Sequence, residues 1–579
     1  MLAAMPPSPS TRPHGSEPPI RDRGDACPGA LRLHSAADGH LARVRLPAGD
    51  LTVRQAEALA DAADRLGDGR LSLTSRGNAE LRGLPDDCGS RLAALLRDAG
   101  LLPSERHERI RNILASPLAG LDLHTPSDVR LWARELDGLL CTSESATALS
   151  GRFLFVLDDG RGDVAALGGD VSLVAEPTGT GAPAGHGDQA ETEVPADHGG
   201  QIGPGHPASP GGSALLRVGD DPAALRIAGP DAARAALTAA EAFLSTAEAS
   251  GTGAWRVREL PAGHALTARV VAERLRGAGV GFEFVGGGTA RAGVAAAAQV
   301  ADAESAAAAE VPASDEAPAP DGTPAPGSPP YSTSALTTSG PYAAPAPYPT
   351  PVPYADSSAP GVIEGRGGVR ALSVLAPLGR LSVAQWRLLA TVAAADGDGV
   401  LRLTPWRGIV VPGLSADAAA VRLRELAGAG LITDPDSPWH RVGACTGRPG
   451  CAKSRTDVRA DATAAVTAGT PVPVSKSGPV AESVSVSGAD TCPDPVRLPH
   501  DPEPGPGPRP APEPEPGPAP GPDDPVPRRP LPVYWSGCER RCGHPHGAWV
   551  DVLATADGYR VSVVRPKDPP APAAPPCPT

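Results

Sequence analysis

The sequence contains an internal repeat, and this repeat constrains the fold more than any other feature. Residues 47–84 and 377–414 align without a gap at an offset of 330 residues. Each copy carries a Gly-Asp-Gly turn, at 67–69 and at 397–399. The apolar spacing predicts, in each copy, a strand, a helix that begins after Leu-Thr-Val or Leu-Ser-Val, the turn, and a strand that ends in Leu-Thr. The sequence therefore predicts a duplicated α+β architecture, with chance similarity between alanine- and leucine-rich stretches as the alternative.

Four cysteines near the C-terminus form two closely spaced pairs. Five residues separate Cys445 from Cys451, and three separate Cys538 from Cys542. Structural zinc usually takes pairs about two to four residues apart, whereas the longer C-x5-C spacing lets one loop wrap a bulkier inorganic core. The segment Thr-Gly-Arg-Pro-Gly between the first two cysteines supplies the backbone angles that such a loop needs. The spacing favours a [4Fe–4S] cluster, with zinc or unconnected buried thiols as the alternative.

The C-x5-C pair followed by a C-x3-C pair resembles the cluster signature of the nitrite and sulfite reductases and of the related precorrin-3B synthases of aerobic cobalamin synthesis. In that superfamily the cluster lies beside a bound tetrapyrrole. The resemblance implies two ferredoxin-like half domains related by a pseudo-twofold axis, and two α+β domains that bind the tetrapyrrole and the cluster. The internal repeat is what such a duplication implies.

Composition divides the rest of the chain of 579 residues, of which 70 are proline and 68 glycine. Three segments lack apolar periodicity and are predicted to be disordered, namely 177–213, 301–365 and 467–529. The predicted order is then a ferredoxin-like half domain at 27–95, a first tetrapyrrole-binding α+β domain at 100–300, the linker at 301–365, a second half domain at 366–430, and a [4Fe–4S]-binding α+β domain at 435–570.

Charge and cysteine usage exclude several classes of protein. The net charge of −14 offers nothing for nucleic acid, so we expect no nucleic-acid partner. The sequence has no run of apolar residues long enough for a membrane span and no apolar stretch of a signal peptide near its start, which predicts a cytoplasmic protein with no membrane partner. Nine cysteines, an odd number, fit a reducing compartment. Five of them are predicted to be non-ligands: Cys27, Cys88, Cys141, Cys492 and Cys577.

The resemblance also implies a set of arginines that hold a tetrapyrrole, because a macrocycle rich in carboxylates needs several fixed guanidinium groups. The segment L-T-S-R-G-N-A-E is similar to the superfamily's T-x-R-x-x-x-Q segment and gives Arg76. The segment R-H-E-R-I-R-N resembles the R-N-x-x-x-x-P segment and gives Arg111 and Arg109. The segment L-S-G-R-F gives Arg152, with Arg161 further along, and the second repeat gives Arg407, one position displaced from Arg76. Solvated side chains are the alternative for each.

Two enzymatic functions follow from the resemblance. The first is that of a precorrin-3B synthase, which hydroxylates precorrin-3A at C20 with O2 and closes a γ-lactone. It implies an electron donor such as ferredoxin or an NAD(P)H-linked reductase, and a mononuclear non-haem iron whose ligands are not recognisable here; the catalytic residues are unknown. The alternative is a sirohaem-dependent assimilatory nitrite or sulfite reductase. A non-catalytic electron-transfer protein would explain the cysteines but not the duplicated motifs.

Overall fold

The computed structural model describes residues 25, 27–122, 128–176, 212–286, 359–472, 531–545 and 547–565. The chain divides into two compact units, Met1–His440 and Arg441–Thr579. Most of the segments predicted to be disordered, together with Cys492 and Cys577, lie outside the described residues. Among the helices that the structure describes, none combines the length and the apolar character needed to span a membrane.

The first copy of the repeat begins the first unit. Its elements are β1 (His34–Ala36), β2 (Gly39–Val44), β3 (Asp50–Thr52), α1 (Val53–Leu66), β4 (Arg70–Leu73), β5 (Ala79–Leu84) and α2 (Gly89–Asp98). Helix α1 begins at a capping box, in which the Thr52 hydroxyl accepts from the Gln55 backbone N–H and the Gln55 side chain accepts from the Thr52 N–H. The helix begins at Val53, inside the Leu-Thr-Val segment and one residue before the predicted start.

A larger α+β domain follows in the same unit. Its elements are β6 (Ile113–Ala115), α3 (Arg130–Thr142), β7 (Phe155–Asp158), β8 (Val171–Ala175), β9 (Ser213–Val218), β10 (Ala224–Ala228), α4 (Ala232–Ser250), α5 (Ala268–Gly277) and β11 (Phe282–Val285). They form a six-stranded sheet of order β11-β10-β9-β8-β7-β6. Strands β6, β7 and β8 are parallel and the others pair antiparallel. The alanine-rich face of α4 and the rings of Phe153, Phe155 and Phe243 form the buried core beside this sheet.

The second copy of the repeat has the same elements as the first. These are β12 (Gly361–Glu364), β13 (Arg370–Leu375), β14 (Arg380–Ser382), α6 (Val383–Asp396), β15 (Val400–Leu403), β16 (Gly408–Leu414) and α7 (Ala416–Gly428). A capping box between Ser382 and Gln385 starts α6, as its counterpart starts α1. The predicted duplication, and with it the α+β fold class, is confirmed.

The two copies exchange strands, which makes them one structure. The first sheet has the order β1-β2-β5-β4-β14 and the second the order β12-β13-β16-β15-β3, so each copy completes the sheet of the other. Equivalent residues exchange places: Leu381 pairs with Leu71, and Leu51 pairs with Leu401. At the centre, the indole N–H of Trp386 donates to the carbonyl of Ala56 at 2.8 Å, and these two positions differ by the repeat offset of 330. Both copies share one apolar core.

Three predicted boundaries need correction. Strand β9 begins at Ser213, the last residue of the segment 177–213 that was predicted to be disordered. Strand β12 lies inside the segment 301–365 that was predicted to be disordered, and it pairs with β13. The proline-rich composition of that segment, averaged over its length, hides the short Gly-Val-Ile-Glu strand. The predicted insert at 467–529 begins too early, because a helix ends at Thr467 and the described chain continues to 472.

The second unit is a small α+β domain. Its elements are β17 (Val442–Ala444), α8 (Val458–Thr467), β18 (Val533–Ser536), β19 (Trp549–Thr555) and β20 (Gly558–Val564). The sheet has the order β17-β18-β19-β20, with the first two pairs parallel and the last antiparallel. Tyr534, Trp535 and Trp549 are buried in this unit. Their large aromatic side chains supply much of its apolar core.

Candidate functional site

The strands of the second unit bring the two cysteine pairs together. Cys445 directly follows β17, and Cys538 follows the neighbouring parallel strand β18 after one glycine. Parallel neighbours end at the same edge of a sheet, so both cysteine loops leave from one edge. The backbone N–H of Cys445 donates to the carbonyl of Trp535 at 3.0 Å, and the backbone N–H of Gly537 donates to Cys445 Sγ at 3.2 Å. The two loops are thus in direct contact.

Glycine is required at two points where these loops turn or touch. Gly447 has φ 71°, in the left-handed region, and a Cβ there would lie 2.9 Å from the side chain of Val458. A Cβ at Gly537 would lie 1.9 Å from Ser454 Oγ. The Cys451 backbone N–H closes the first loop by donating to the Gly447 carbonyl at 2.8 Å. The predicted role of glycine in this loop is therefore visible in its geometry.

The four cysteines fit a thiolate-bound inorganic group. All four are free thiols; Cys445, Cys451 and Cys538 are half-buried, and Cys542 is exposed. Burial raises the pKa of the Cys445 thiol, although backbone N–H groups of Gly537 and Gly447 act in the opposite direction. A metal bound at this thiol would favour its ionised form. Beside it, the Ser536 hydroxyl is buried and has no hydrogen-bond partner among the described residues.

The spacing of the sulfurs bears on which group they hold. A zinc ion at about 2.3 Å from each of four thiolates holds them roughly 3.8 Å apart. In the part of the chain that the structure describes, no three of the four cysteine sulfurs lie within 4.8 Å of one another. The preference for a cluster over zinc therefore still rests on the C-x5-C spacing of the sequence.

A second site lies in the first unit, around a buried arginine that the sequence analysis missed. Arg45, at the end of β2, is 3% exposed. Its Nε donates to the carbonyl of Arg109 at 3.0 Å, and one terminal nitrogen donates to the carbonyl of Gly151 at 3.0 Å. Its other terminal nitrogen is buried with no partner among the described residues. At the offset of 330 residues, the position equivalent to Arg45 in the second copy is Leu375. An arginine in one copy where the other has an apolar residue is the signal that could have identified Arg45.

Three of the predicted arginines lie around Arg45. Arg76, in the turn between β4 and β5, donates from Nη1 to the carbonyl of Arg152 at 3.3 Å. Arg152 is exposed, and its guanidinium carbon lies 4.9 Å from the ring centre of Trp255. Arg109 holds Asp25, donating to its backbone carbonyl at 3.2 Å. These contacts bring three predicted site residues together on one surface of the first unit.

This arginine site is strongly positive. The pKa of Arg45 is lowered to about 9 by burial and by the nearby charges of Arg43 and Arg76. The pKa of Arg76 is lowered to about 10 by burial and by Arg256 and Arg43. Since a guanidinium stays protonated at neutral pH, the lowered pKa values express an electrostatic cost that a bound anion would relieve.

Two carboxylates near this site, Glu80 and Asp170, are paired with arginines outside it, and a third, Asp25, lies 3.7 Å from Arg109 of the site. Glu80 accepts from Arg43 at 2.8 Å and from Arg82 at 3.1 Å. Asp170 forms an ion pair with Arg256 and accepts from two backbone N–H groups. Within the described residues, neither Arg45 nor Arg76 forms an ion pair with a carboxylate. The arrangement can therefore bind a ligand that carries carboxylates of its own.

Two predicted tetrapyrrole contacts are placed differently by the structure. Arg111 is 5% exposed, and its guanidinium binds both oxygens of Asp137, at 2.6 and 2.7 Å, and the carbonyl of Leu101 at 3.2 Å. Its donors are used inside the protein, so we remove it from the candidate site. Arg407 has φ 63° and matches Gly77 of the first copy, and its side chain packs on Gly379. It is thus not a structural equivalent of Arg76.

Three buried aspartates form a further group, Asp158, Asp159 and Asp163, whose oxygens lie within 4.8 Å of one another. The oxygens of Asp158 accept from four backbone N–H groups of the following loop. Both oxygens of Asp159 accept from Arg161, which also binds Asp122. Burial, and then the charge of Asp158, raises the pKa of Asp163 to about 7. These carboxylates stabilise a loop and do not fit the mononuclear iron that the family resemblance implies.

Comparison with known proteins agrees with this architecture. The model of the nitrite/sulfite reductase ferredoxin-like half domain matches twice, at residues 34–98 and 363–429. A precorrin-3B synthase from Sinorhizobium sp. is 36% identical over 160 residues, which cover 28% of this chain and 34% of that protein. The ferredoxin–nitrite reductase of Synechococcus elongatus is 33% identical over 127 residues, 21% of this chain and 25% of that protein.

The chain spans about a third or less of the curated relatives that it matches. The structure of the Mycobacterium tuberculosis NirA protein superposes with a TM-score of 0.49 and 14% identity, over 90% of this chain and 74% of that one. The two half-domain matches coincide with the two copies of the internal repeat. The two copies of the repeat therefore match the ferredoxin-like half domain of nitrite and sulfite reductases, and parts of the chain are similar in sequence to precorrin-3B synthase and to ferredoxin–nitrite reductase.

Proposed function

We propose that the protein is a precorrin-3B synthase, for which the tetrapyrrole is a substrate and not a resident cofactor. In this reaction O2 hydroxylates precorrin-3A at C20, and the ring A acetate closes as a γ-lactone. One oxygen atom enters the product and the other leaves as water, with two electrons and two protons supplied by a donor. The similarity to the Sinorhizobium precorrin-3B synthase supports the proposal.

The structural observation that supports a tetrapyrrole ligand is the arginine site of the first unit. Arg45 has an unpartnered buried nitrogen, and Arg76 has no carboxylate partner among the described residues. A tetrapyrrole rich in carboxylates supplies the missing anions, and charge-assisted hydrogen bonds to guanidinium groups orient the ring. We assign Arg45, Arg76, Arg109 and Arg152 to this site and leave out Arg111 and Arg407.

The segment that would hold a small anion in a reductase supports a tetrapyrrole substrate instead. In the reductase alternative, Arg152 and Arg161 would bind nitrite or sulfite. Arg161 is held by Asp159 and Asp122. Leu154, two positions after Arg152, is apolar and 3% exposed, so the strand has no Lys-x-Lys pattern. Arg152 alone is a weak site for a small anion.

In the proposal, Cys445, Cys451, Cys538 and Cys542 hold a [4Fe–4S] cluster in the second unit, which supplies single electrons when bound. A ferredoxin or an NAD(P)H-linked reductase is the proposed donor, and the reducing cytoplasm is the proposed compartment. The first unit binds and orients the substrate carboxylates. The described residues offer no fitting ligand set for a further mononuclear iron, and we assign it none.

The test is turnover of precorrin-3A with labelled O2 and a reduced electron donor, followed by mass spectrometry of the product. We expect a product heavier by one labelled oxygen atom, and no consumption of nitrite or sulfite under the same conditions. Donor-dependent reduction of either anion, with precorrin-3A unchanged, would overturn the proposal.

The alternative function is a sirohaem-dependent nitrite or sulfite reductase, which the similarity to two ferredoxin–nitrite reductases favours. In that case the same arginines would hold the carboxylates of a permanent sirohaem. The two functions differ in whether the tetrapyrrole leaves the protein after each turnover.

A further inference from the structure

The second cysteine loop contains a backbone conformation that its residue type does not favour. Arg541, between Cys538 and Cys542, has φ 45°, in the left-handed region where glycine is the usual residue. Its backbone N–H donates to the carbonyl of Cys538 at 3.1 Å, which closes the turn. A non-glycine residue persists in this region only where the surroundings hold it there.

The side chain of Arg541 is held by a fully buried carboxylate. Its Nε donates to Asp551 Oδ2 at 2.6 Å; the side chain of Asp551, on β19, is 0% exposed and that of Arg541 is 28% exposed. The other oxygen of Asp551 is buried with no partner among the described residues. The pKa of Arg541 is raised, mainly by its hydrogen bond to Asp551. Arg541 is therefore the cation that neutralises this carboxylate.

A second contact fixes the end of the same loop. The hydroxyl of Tyr534, on β18, donates to the carbonyl of Cys542 at 2.6 Å. Glu539 also lies 3.3 Å from Arg541, but its side chain is 71% exposed, so its charge is screened by solvent. The contacts of Tyr534 and Arg541 anchor the loop to the sheet, and among the ion pairs that the structure describes in this loop only Arg541–Asp551 has a buried partner.

We propose that Arg541 and Asp551 form a positioning pair that holds the C-x3-C loop in its ligating conformation and sets the electrostatic field at the metal group. This inference rests on the proposed assignment of an iron–sulfur cluster to the four cysteines. Arg541 directly precedes Cys542 in the chain, so a charged residue adjoins a ligand residue. Asp551 supplies the opposite charge from the sheet. The positive charge of Arg541 therefore raises the reduction potential, and the negative charge of Asp551 lowers it.

The charges of the two residues predict shifts of opposite sign. Reduction adds one negative charge to the cluster, so a nearby cation stabilises the reduced form and a nearby anion destabilises it. Arg541→Gln should move the midpoint potential to more negative values, and Asp551→Asn should move it to more positive values. In the double variant, which combines Arg541→Gln with Asp551→Asn, the midpoint potential should be close to that of the wild type. Arg541→Lys should restore most of the wild-type potential.

The experiment is a redox titration of the full-length protein followed by electron paramagnetic resonance, with iron and sulfide measured in every variant. Arg560→Gln is the control, because it removes an exposed cation from the same unit, 3.5 Å from Glu539. We expect no potential shift in the control. We also expect each single variant of the pair to lose iron to a chelator about tenfold faster than the wild type, the scale seen when groups behind metal ligands are removed.

The outcomes separate this inference from the proposed function. A wild-type protein without iron and sulfide would overturn the cluster assignment itself. A wild-type cluster with unshifted potentials in both single variants, or with shifts in the same direction, would overturn the positioning pair while leaving the cluster in place. If a single variant does not fold, the double variant and Arg541→Lys still decide, because a departure of either from the wild-type potential contradicts the proposal.

Discussion

At the scale of single residues, the sequence predicts those roles that depend on neighbours along the chain. Cys445 and Cys538 come together because the strands that precede them are parallel neighbours. Arg111, predicted as a tetrapyrrole contact from the local R-N motif, forms an ion pair with Asp137 on α3, and that motif contains no signal for this pair. Arg45 was missed because its burial follows from the packing of the first unit, although Leu375 at the equivalent position was a usable signal.

Arg76 and Arg111 should respond to substitution in opposite ways. Arg76→Ala removes an arginine without a carboxylate partner, so we expect folding stability to change by less than about 1 kcal/mol, while binding of precorrin-3A weakens by about 1.5–3 kcal/mol. Arg111→Ala leaves Asp137 largely buried and unpaired, which should cost about 3 kcal/mol of stability. Denaturant unfolding and a binding titration of both variants measure the two effects. A large stability loss in Arg76→Ala, with unchanged binding, would show that Arg76 is structural.

At the scale of elements, the sequence predicted the strand–helix–turn–strand order of each copy but not the exchange between copies. The helix starts were readable because the capping residues Thr52 and Ser382 are local signals. The exchanged strands β3 and β14 are three residues long, too short to show a period, and their partners lie in the other copy. Strand β12 is also too short to show a period, and it follows a proline-rich stretch, so the sequence analysis did not identify it.

The strand exchange predicts that damage to one copy weakens both. Trp386→Ala removes a buried indole at the centre of the repeat and should lower the free energy of unfolding by about 3–5 kcal/mol. Trp386→Phe keeps a ring but loses the bond to Ala56, and should cost about 1–2 kcal/mol. Amide hydrogen exchange should rise in α1 as well as in α6.

The matched control for this prediction is Val421→Ala. Val421, on α7 of the second copy, is 53% exposed, and its truncation should leave exchange in α1 and α6 unchanged. If Trp386→Ala raised exchange in α6 alone, the two copies would be independent, contrary to the shared core.

At the scale of the whole molecule, the sequence predicted a duplicated scaffold that carries two chemical sites, and the structure describes each site within its own unit. The two cysteine pairs were recognisable because their spacing is a property of the chain, and their role as cluster ligands stays a prediction. The arginine site was predictable only in part, because which cations stay unpaired is decided by distant carboxylates such as Glu80 and Asp170. The central claim is that the cysteines bind an iron–sulfur cluster and that the arginines bind a tetrapyrrole substrate, which leaves the protein after each turnover.

The most direct test of this claim is the ultraviolet–visible spectrum of the anaerobically purified protein, with iron and sulfide measured on the same sample. We predict a broad cluster absorbance with about four iron and four sulfide per chain, and no Soret-type band. Replacing Cys445, Cys451, Cys538 or Cys542 by serine should abolish the absorbance, whereas replacing Cys88 or Cys141 should preserve it. A Soret-type band from stoichiometric sirohaem in the purified protein would contradict the account, because the tetrapyrrole would then be a resident cofactor.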